Sequence, residues 1–315
     1  MTGIFVALLS DAVLANLAGG AGELLWLGQE AWRWMFIVEV VPAAAYGILS
    51  LTLPESPRYL VAQGLPDRAA AVLSRILKTG VAERIREIEL TVARDRRSSW
   101  HDLRGPALGL LPIVWVGIML SVFQQFVGIN VVFYYSSALW QQVGFSEADS
   151  LKITVITSVV NIVVTLVAIA TIERFGRRLL LLIGSAGMAV SLGTLAVVFG
   201  TAPVQGGEPV LGGTAGMVAL LAANLFVVFF GVSWGPVVWV LLGEMFNNRI
   251  RASALGLAAA AQWLANFAIS TTFPTFADIG LSFAYGFYTF FAVLSFLFVA
   301  KYVKETKGMQ LEEMT

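Results

Sequence analysis

The chain has 315 residues, 58% of them hydrophobic and 13% charged, with 20 basic and 20 acidic side chains and no Cys. Soluble domains are about 45–50% apolar and about 25% charged, so a mean hydropathy of +0.80 marks an integral membrane protein. Zero net charge removes a basic footprint for nucleic acid, and the lack of Cys removes disulfides, thiolate metal sites and Cys nucleophiles.

Apolar stretches near 20 residues can cross a hydrocarbon core of about 30 Å as helices, and eight candidates are present. In chain order they are Gly3–Leu17, Trp34–Leu53, Leu108–Leu139, Ile153–Ile172, Leu179–Gly200, Gly213–Leu242, Ala252–Phe273 and Leu281–Val303. The first is short, and it lacks the basic start and small-residue cleavage pattern of a secretory signal. Between the second and third lies the one long hydrophilic stretch. There Leu73, Ile76 and Leu77 recur at helical spacing with Gly80 as a stop, and Ile85, Ile88 and Val92 predict a second amphipathic helix. The segment fits either a solvated linker or a cytoplasmic latch docked on the bundle.

Basic residues set the topology, because short cytoplasmic loops carry the Lys/Arg excess. Ten lie between Pro57 and Arg104, Lys78, Arg96 and Arg97 among them. Arg174, Arg177 and Arg178 follow the fourth span, Arg249 and Arg251 the sixth, and Lys301, Lys304 and Lys307 the last. The intervening turns hold only Arg33 and Lys152, so both termini are predicted to be cytoplasmic.

A charge at the bilayer centre costs at least about 2.5–3.5 kcal/mol, so polar groups inside spans are functional candidates. Here they are nearly all amides: Gln124, Gln125, Asn130, Asn161, Asn224, Gln262 and Asn266. Asp11 is the one carboxylate well inside a span, read as facing a water-filled vestibule; Glu244 lies at a cytoplasmic helix end. Amides donate and accept, and Trp and Tyr add flat apolar faces, a combination suited to an uncharged polyhydroxylated ligand rather than an amino acid, phosphate or ion. Gln262 and Asn266 share a helix face, with Trp263 beside them. Gln124 and Gln125 precede Gly128, and the run Gly231-Val-Ser-Trp-Gly235-Pro236 breaks a helix further on. Broken helices near the midplane are where transporters place their sites. Amides also glue helices, at about 0.6 kcal/mol each; Asn224, with no polar neighbour at helical spacing, reads that way.

Several stretches resemble the sugar porters of the major facilitator superfamily. Gln124-Gln-Phe-Val-Gly-Ile-Asn130-Val-Val-Phe-Tyr134-Tyr135 resembles their seventh-helix signature, and Pro54-Glu-Ser-Pro-Arg58 their mark after the sixth helix. Glu173-Arg-Phe-Gly-Arg-Arg178, Trp234-Gly-Pro-Val-Val-Trp239 with Glu244 through Arg251, and Glu305-Thr-Lys-Gly308 resemble three further marks in order. Ala260-Ala-Gln-Trp-Leu-Ala-Asn266 brings the chain nearest to bacterial D-xylose/proton symporters, with glucose porters close behind. The resemblance implies an all-α membrane protein with the major facilitator fold, its eight spans equivalent to family helices five to twelve, and therefore a fragment lacking the first four. Residues 1–53 would be the last two helices of an N-terminal bundle, 54–106 a cytoplasmic linker, and 107–315 a complete six-helix bundle with its tail.

By the same resemblance, Gln124, Gln125, Asn130, Asn161, Trp239 and Gln262 would contact sugar hydroxyls, and Trp263 would line the cytoplasmic side of the cavity. Tyr134 and Tyr135 would belong to the extracellular gate. Glu173, Arg174, Arg177, Arg178, Glu244 and Arg251 would form a cytoplasmic charge network. The implied function is transport of a neutral monosaccharide, a pentose or hexose such as xylose or glucose, by alternating access, with a proton as the coupled ion. The protein is expected to be a monomer in the cell's inner or plasma membrane, with no nucleic-acid partner and no cofactor or metal.

Three departures bear on this. The family's proton-carrying carboxylate lies on the first helix, outside the aligned region. Ile4 occupies a position that is Gln in some relatives. Lys304 stands where the last mark usually has Pro, which predicts a weaker helix stop. A sugar uniporter, or a non-transporting sensor signalling through a cytoplasmic tail, would share these marks. An enzyme is excluded, because catalysis would need a convergent His, Cys or carboxylate pair in the spans, whereas His101 reads as solvated. The chain by itself is expected to bind sugar weakly without transporting it.

Overall fold

The computed structural model describes residues 2–77, 79–94, 100–205, 208–247 and 249–307. Lys78, Arg96, Arg97 and Gly308 lie outside them. The chain runs through α1 (Thr2–Ala18), α2 (Ala31–Val38), α3 (Val40–Thr52), α4 (Pro57–Ala62), α5 (Pro66–Leu73), α6 (Val81–Arg94) and a 3-10 turn at Trp100–Leu103. It continues through α7 (Pro112–Phe126), α8 (Ile129–Tyr134), α9 (Ser136–Gln142), α10 (Glu147–Phe175) and α11 (Arg177–Thr201). A two-residue antiparallel pair, β1 (Val204–Gln205) and β2 (Glu208–Pro209), leads to α12 (Gly213–Val232), α13 (Trp234–Met245), α14 (Arg251–Ile279) and α15 (Leu281–Tyr302).

Among the described residues seven helical spans are long and apolar enough to cross a membrane; the first apolar helix, Gly3–Ala18, is shorter. Three spans are helix pairs continued across a break: α2 with α3, α7 with α8, and α12 with α13. The third span starts at Pro112, not Leu108. Leu108 sits at φ 50° in a turn closed by the Ala107↔Leu110 bridge, and Pro112, free of a helix donor to lose, opens the helix.

Two compact units divide the chain: Met1–Met35 with Trp100–Thr315, and Phe36–Ser99. In the second, Pro57 and Pro66 open α4 and α5. Leu60, Val61 and Ala69 form its small core, and Ile85, Ile88 and Val92 of α6 pack against it. The first helical face ends sooner than its spacing predicts. α5 stops at Leu73, and Ile76 lies exposed in a turn, because no apolar surface meets it there.

In the larger unit α11 packs between α12 and α15. Close approach depends on glycine: a Cβ on Gly187 would lie 2.2 Å from the Phe229 ring. α1 packs on α10, and the Ala21 amide donates to Glu147 Oε1 at 2.8 Å. Ser146 caps α10 by accepting from the Asp149 amide. Asp11 is half-buried on α1, and His101 is exposed on the 3-10 turn. α15 ends at Tyr302 with Val303 extended, so its stop does not need a proline at position 304.

Candidate functional site

Two helix breaks gather the polar groups. Between α12 and α13, Ser233 sits at φ −124°, ψ −88°. Pro236 has no amide hydrogen to carry the helical ladder across. Gly231 packs directly on α10; a Cβ there would meet Val164 at 3.0 Å and Asn161 Oδ1 at 3.4 Å. Trp234 is fully buried, and its Nε1 donates to Leu181 O at 3.1 Å and Ser185 Oγ at 2.9 Å on α11. Gln124, 3% exposed, donates Nε2 to the carbonyls of Trp234 at 2.8 Å and Gly235 at 3.3 Å. Two oxygens can be met only by the amide nitrogen, which turns Oε1 the other way. That oxygen is buried without a hydrogen-bond partner among the described residues.

The second break separates α7 from α8 at Gly128, whose φ of 82° suits a residue without Cβ. Asn130 Nδ2 donates across it to Gln125 Oε1 at 2.6 Å. Tyr288 of α15 closes this corner from behind: a Cβ on Gly128 would lie 2.7 Å from its ring. The Tyr288 hydroxyl is buried with no hydrogen-bond partner among the described residues. Tyr135 donates to Ser270 O at 3.1 Å, and its ring centre is 4.7 Å from that of Phe273. Ser270 donates to Asn266 Oδ1 at 3.0 Å. Gln262, one turn earlier on α14, is buried with Oε1 unpaired among the described residues.

Gln124, Gln125, Asn161, Gln262 and Asn266 are thus buried, while Asn130 and Tyr135 are half-buried. Trp239, Trp263 and Tyr134 are exposed on their helices. Asn224 joins two helices, donating to Leu220 O and accepting from Thr157 of α10. The sequence does not single out Tyr288, which reads as one more aromatic in an apolar helix, nor the side chain of Trp234, although its motif was plain.

The predicted charge network centres on Arg177, whose side chain is 6% exposed. It donates Nε and Nη2 to Glu244 at 3.0 and 2.6 Å, and Nη1 and Nη2 to Glu173 at 3.2 and 2.6 Å. Thr306 adds a hydroxyl to Glu244 at 2.6 Å. Arg178 donates to Ala300 O, and Arg174 contributes its carbonyl to Lys307 Nζ. Arg251 instead donates to Phe246 O at 3.1 Å. In the sequence Glu305 stands out only as part of a motif, yet its carboxylate accepts the backbone amides of Arg177, Arg178, Thr306 and Lys307 at 2.9–3.1 Å. Burial works to raise its pKa, but these amides outweigh it and hold the carboxyl below the usual range.

Residues 1–315 match the family model described as "Sugar (and other) transporter". The chain is 57% identical over 316 residues to the glucose transport protein of Synechocystis sp., covering 100% of the chain and 68% of that protein. It is 41% identical over 303 residues to the D-xylose-proton symporter of Escherichia coli, covering 93% of the chain and 58% of that protein. A solved structure of the major facilitator superfamily proton:xylose symporter XylE, bound to 6-bromo-6-deoxy-D-glucose, is similar with a TM-score of 0.76 and 40% identity. The match covers 99% of the chain and 64% of that structure. The chain therefore spans 58–68% of the lengths of these relatives.

Proposed function

The chain belongs to the sugar (and other) transporter family, and we propose that it works in a carrier that moves a neutral monosaccharide across the membrane by alternating access, coupled to a proton. The substrate class is a pentose or hexose such as xylose or glucose. Residues 1–53 would belong to one helix bundle, 54–106 to a cytoplasmic linker, and 107–315 to the second bundle, with both termini cytoplasmic.

The observation that carries this reading is the Gln124 amide at the α12–α13 break: donor satisfied by backbone, acceptor oxygen left over. Gln262 leaves a second such oxygen, and Tyr288 a hydroxyl. Sugar hydroxyls donate to acceptors of this kind at no cost in charge, and a buried polar group left without a partner costs about 1–3 kcal/mol. Gln124, Gln125, Asn130, Asn161, Trp239 and Gln262 are the proposed sugar contacts, with Trp263 on the cytoplasmic side and Tyr134 and Tyr135 at the extracellular gate. The Arg177 network at the helix ends is a candidate two-state element, able to break and re-form as bundles rock. Transport requires that sugar stabilise the occluded state relative to both open ones.

Uptake of labelled xylose or glucose into vesicles carrying the product of the native gene tests the reading. Saturable uptake, with proton flux alongside it, supports it; no saturable uptake of any monosaccharide overturns it.

A further inference from the structure

We propose that Trp234 is a positioning residue: it fixes which end of the Gln124 amide faces a ligand, and so makes the site select a hydroxyl that donates at one ring position. The inference rests on the sugar-carrier reading above.

An unrestrained glutamine can greet a hydroxyl with either end of its amide. Gln124 has no such choice, because its nitrogen is committed to the carbonyls of Trp234 and Gly235. Those carbonyls belong to the first turn of α13, just after the chain breaks at Ser233, and the break is held from behind. The Trp234 indole, fully buried, donates to Leu181 O and Ser185 Oγ. Ser185 Oγ lies 2.9 Å from Ser295 Oγ of α15, and Ser295 donates to Ala292 O. Gly184, one residue earlier on α11, gives the break room: a Cβ there would lie 1.7 Å from Ser233 Oγ. A line of hydrogen bonds thus runs from α15 through α11 and Trp234 to the Gln124 amide, and ends at an oxygen with no partner among the described residues.

The chemical consequence is directional. A hydroxyl donates to Oε1, whereas fluorine in its place can only accept and leaves that oxygen buried and unpaired. Without the indole N–H the break loses its anchor, and the flipped amide, offering a donor, becomes available. The discrimination should then fade even where overall affinity survives.

The test measures Kd for glucose and xylose and for their monodeoxyfluoro analogues, in membranes carrying the product of the native gene. Wild type should prefer hydroxyl over fluorine at one ring position by about tenfold. Trp234→Phe keeps the ring but loses the donor; it should narrow that ratio to about twofold while weakening the parent sugar less than tenfold. Ser185→Ala, a milder change that guards against misfolding, should move the ratio the same way by a smaller step. In a Gln124→Ala background, Trp234→Phe should shift the ratio no further. A purely structural role predicts instead that both variants weaken every analogue alike with the ratio unchanged, and that result overturns the inference. Absence of binding of any monosaccharide by wild type is a different outcome, which overturns the sugar reading and takes the inference with it.

Discussion

Arg177 and Glu244, 67 residues apart in sequence, meet through two N–H···O bonds of 3.0 and 2.6 Å that tie the start of α11 to the end of α13. The same guanidinium also reaches Glu173 one turn away, but the two carboxylates are not equivalent. The Glu244 side chain is 29% exposed and that of Glu173 is 74% exposed. Water screens the second pair far more, so the exposed contact carries less of the stability. Removing Glu244 leaves Arg177 with only the water-exposed Glu173 and costs more, about 2–3 kcal/mol after allowance for Glu244's partial exposure. Glu244→Ala should therefore lower the melting temperature in detergent clearly further than Glu173→Ala. Equal shifts would mean that the two pairs carry the same weight.

Glu305 gives a pH dependence with a definite sign. Its carboxyl is held below the ordinary range, because four backbone amides outweigh the opposing effect of burial. A depressed folded pKa contributes stability that is fully present above the unfolded value, about 4.3, and is lost as pH falls through the folded value. Glu305→Gln should destabilise the protein at pH 7, and the difference from wild type should shrink as the pH is lowered below about 4. Melting temperatures of both proteins from pH 7 to 3 decide the matter; a constant offset would remove the carboxylate from the account.

Gly128 is constrained twice. Its φ of 82° costs an L-residue about 1–2 kcal/mol, and a Cβ there would press within 2.7 Å of the Tyr288 ring. Overpacking adds about 1–3 kcal/mol. Gly128→Ala should therefore be destabilising by about 2–5 kcal/mol. Combining it with Tyr288→Ala should recover only the steric part, since the backbone strain remains. Full recovery in denaturation measurements would show that conformation contributes nothing.

The helix order could be read from sequence because apolar length and loop charge are local properties. The breaks were visible too, as Gly128 and Pro236. What those breaks bring together was not. Gln124 and Trp234 are 110 residues apart, and their contact exists only once α7 lies against α13. Arg251 shows the same limit: its motif suggested a place in the charge network, but Arg177 and Thr306 occupy the Glu244 oxygens, and Arg251 turns to the Phe246 carbonyl. Ile76 failed for the opposite reason, having the right spacing but no surface to pack on.

Gln262 and Asn224 differ in how their amides are satisfied, which tests the proposed division between recognition and glue. Asn224 has both ends of its amide engaged, with Leu220 and Thr157; Gln262 keeps a buried oxygen unpaired among the described residues. Removing a satisfied interhelical amide loses about 0.6 kcal/mol, so Asn224→Ala should lower stability slightly and leave sugar affinity within about twofold, as expected for glue. Removing an unpaired buried acceptor relieves a desolvation penalty of about 1–3 kcal/mol. Gln262→Leu should thus leave the sugar-free protein as stable as wild type, or more so, while weakening sugar binding at least about tenfold. The opposite pattern, with Gln262→Leu less stable and binding unimpaired, would make Gln262 a structural amide. Paired thermal-shift and binding titrations on the two variants give both readings from one preparation.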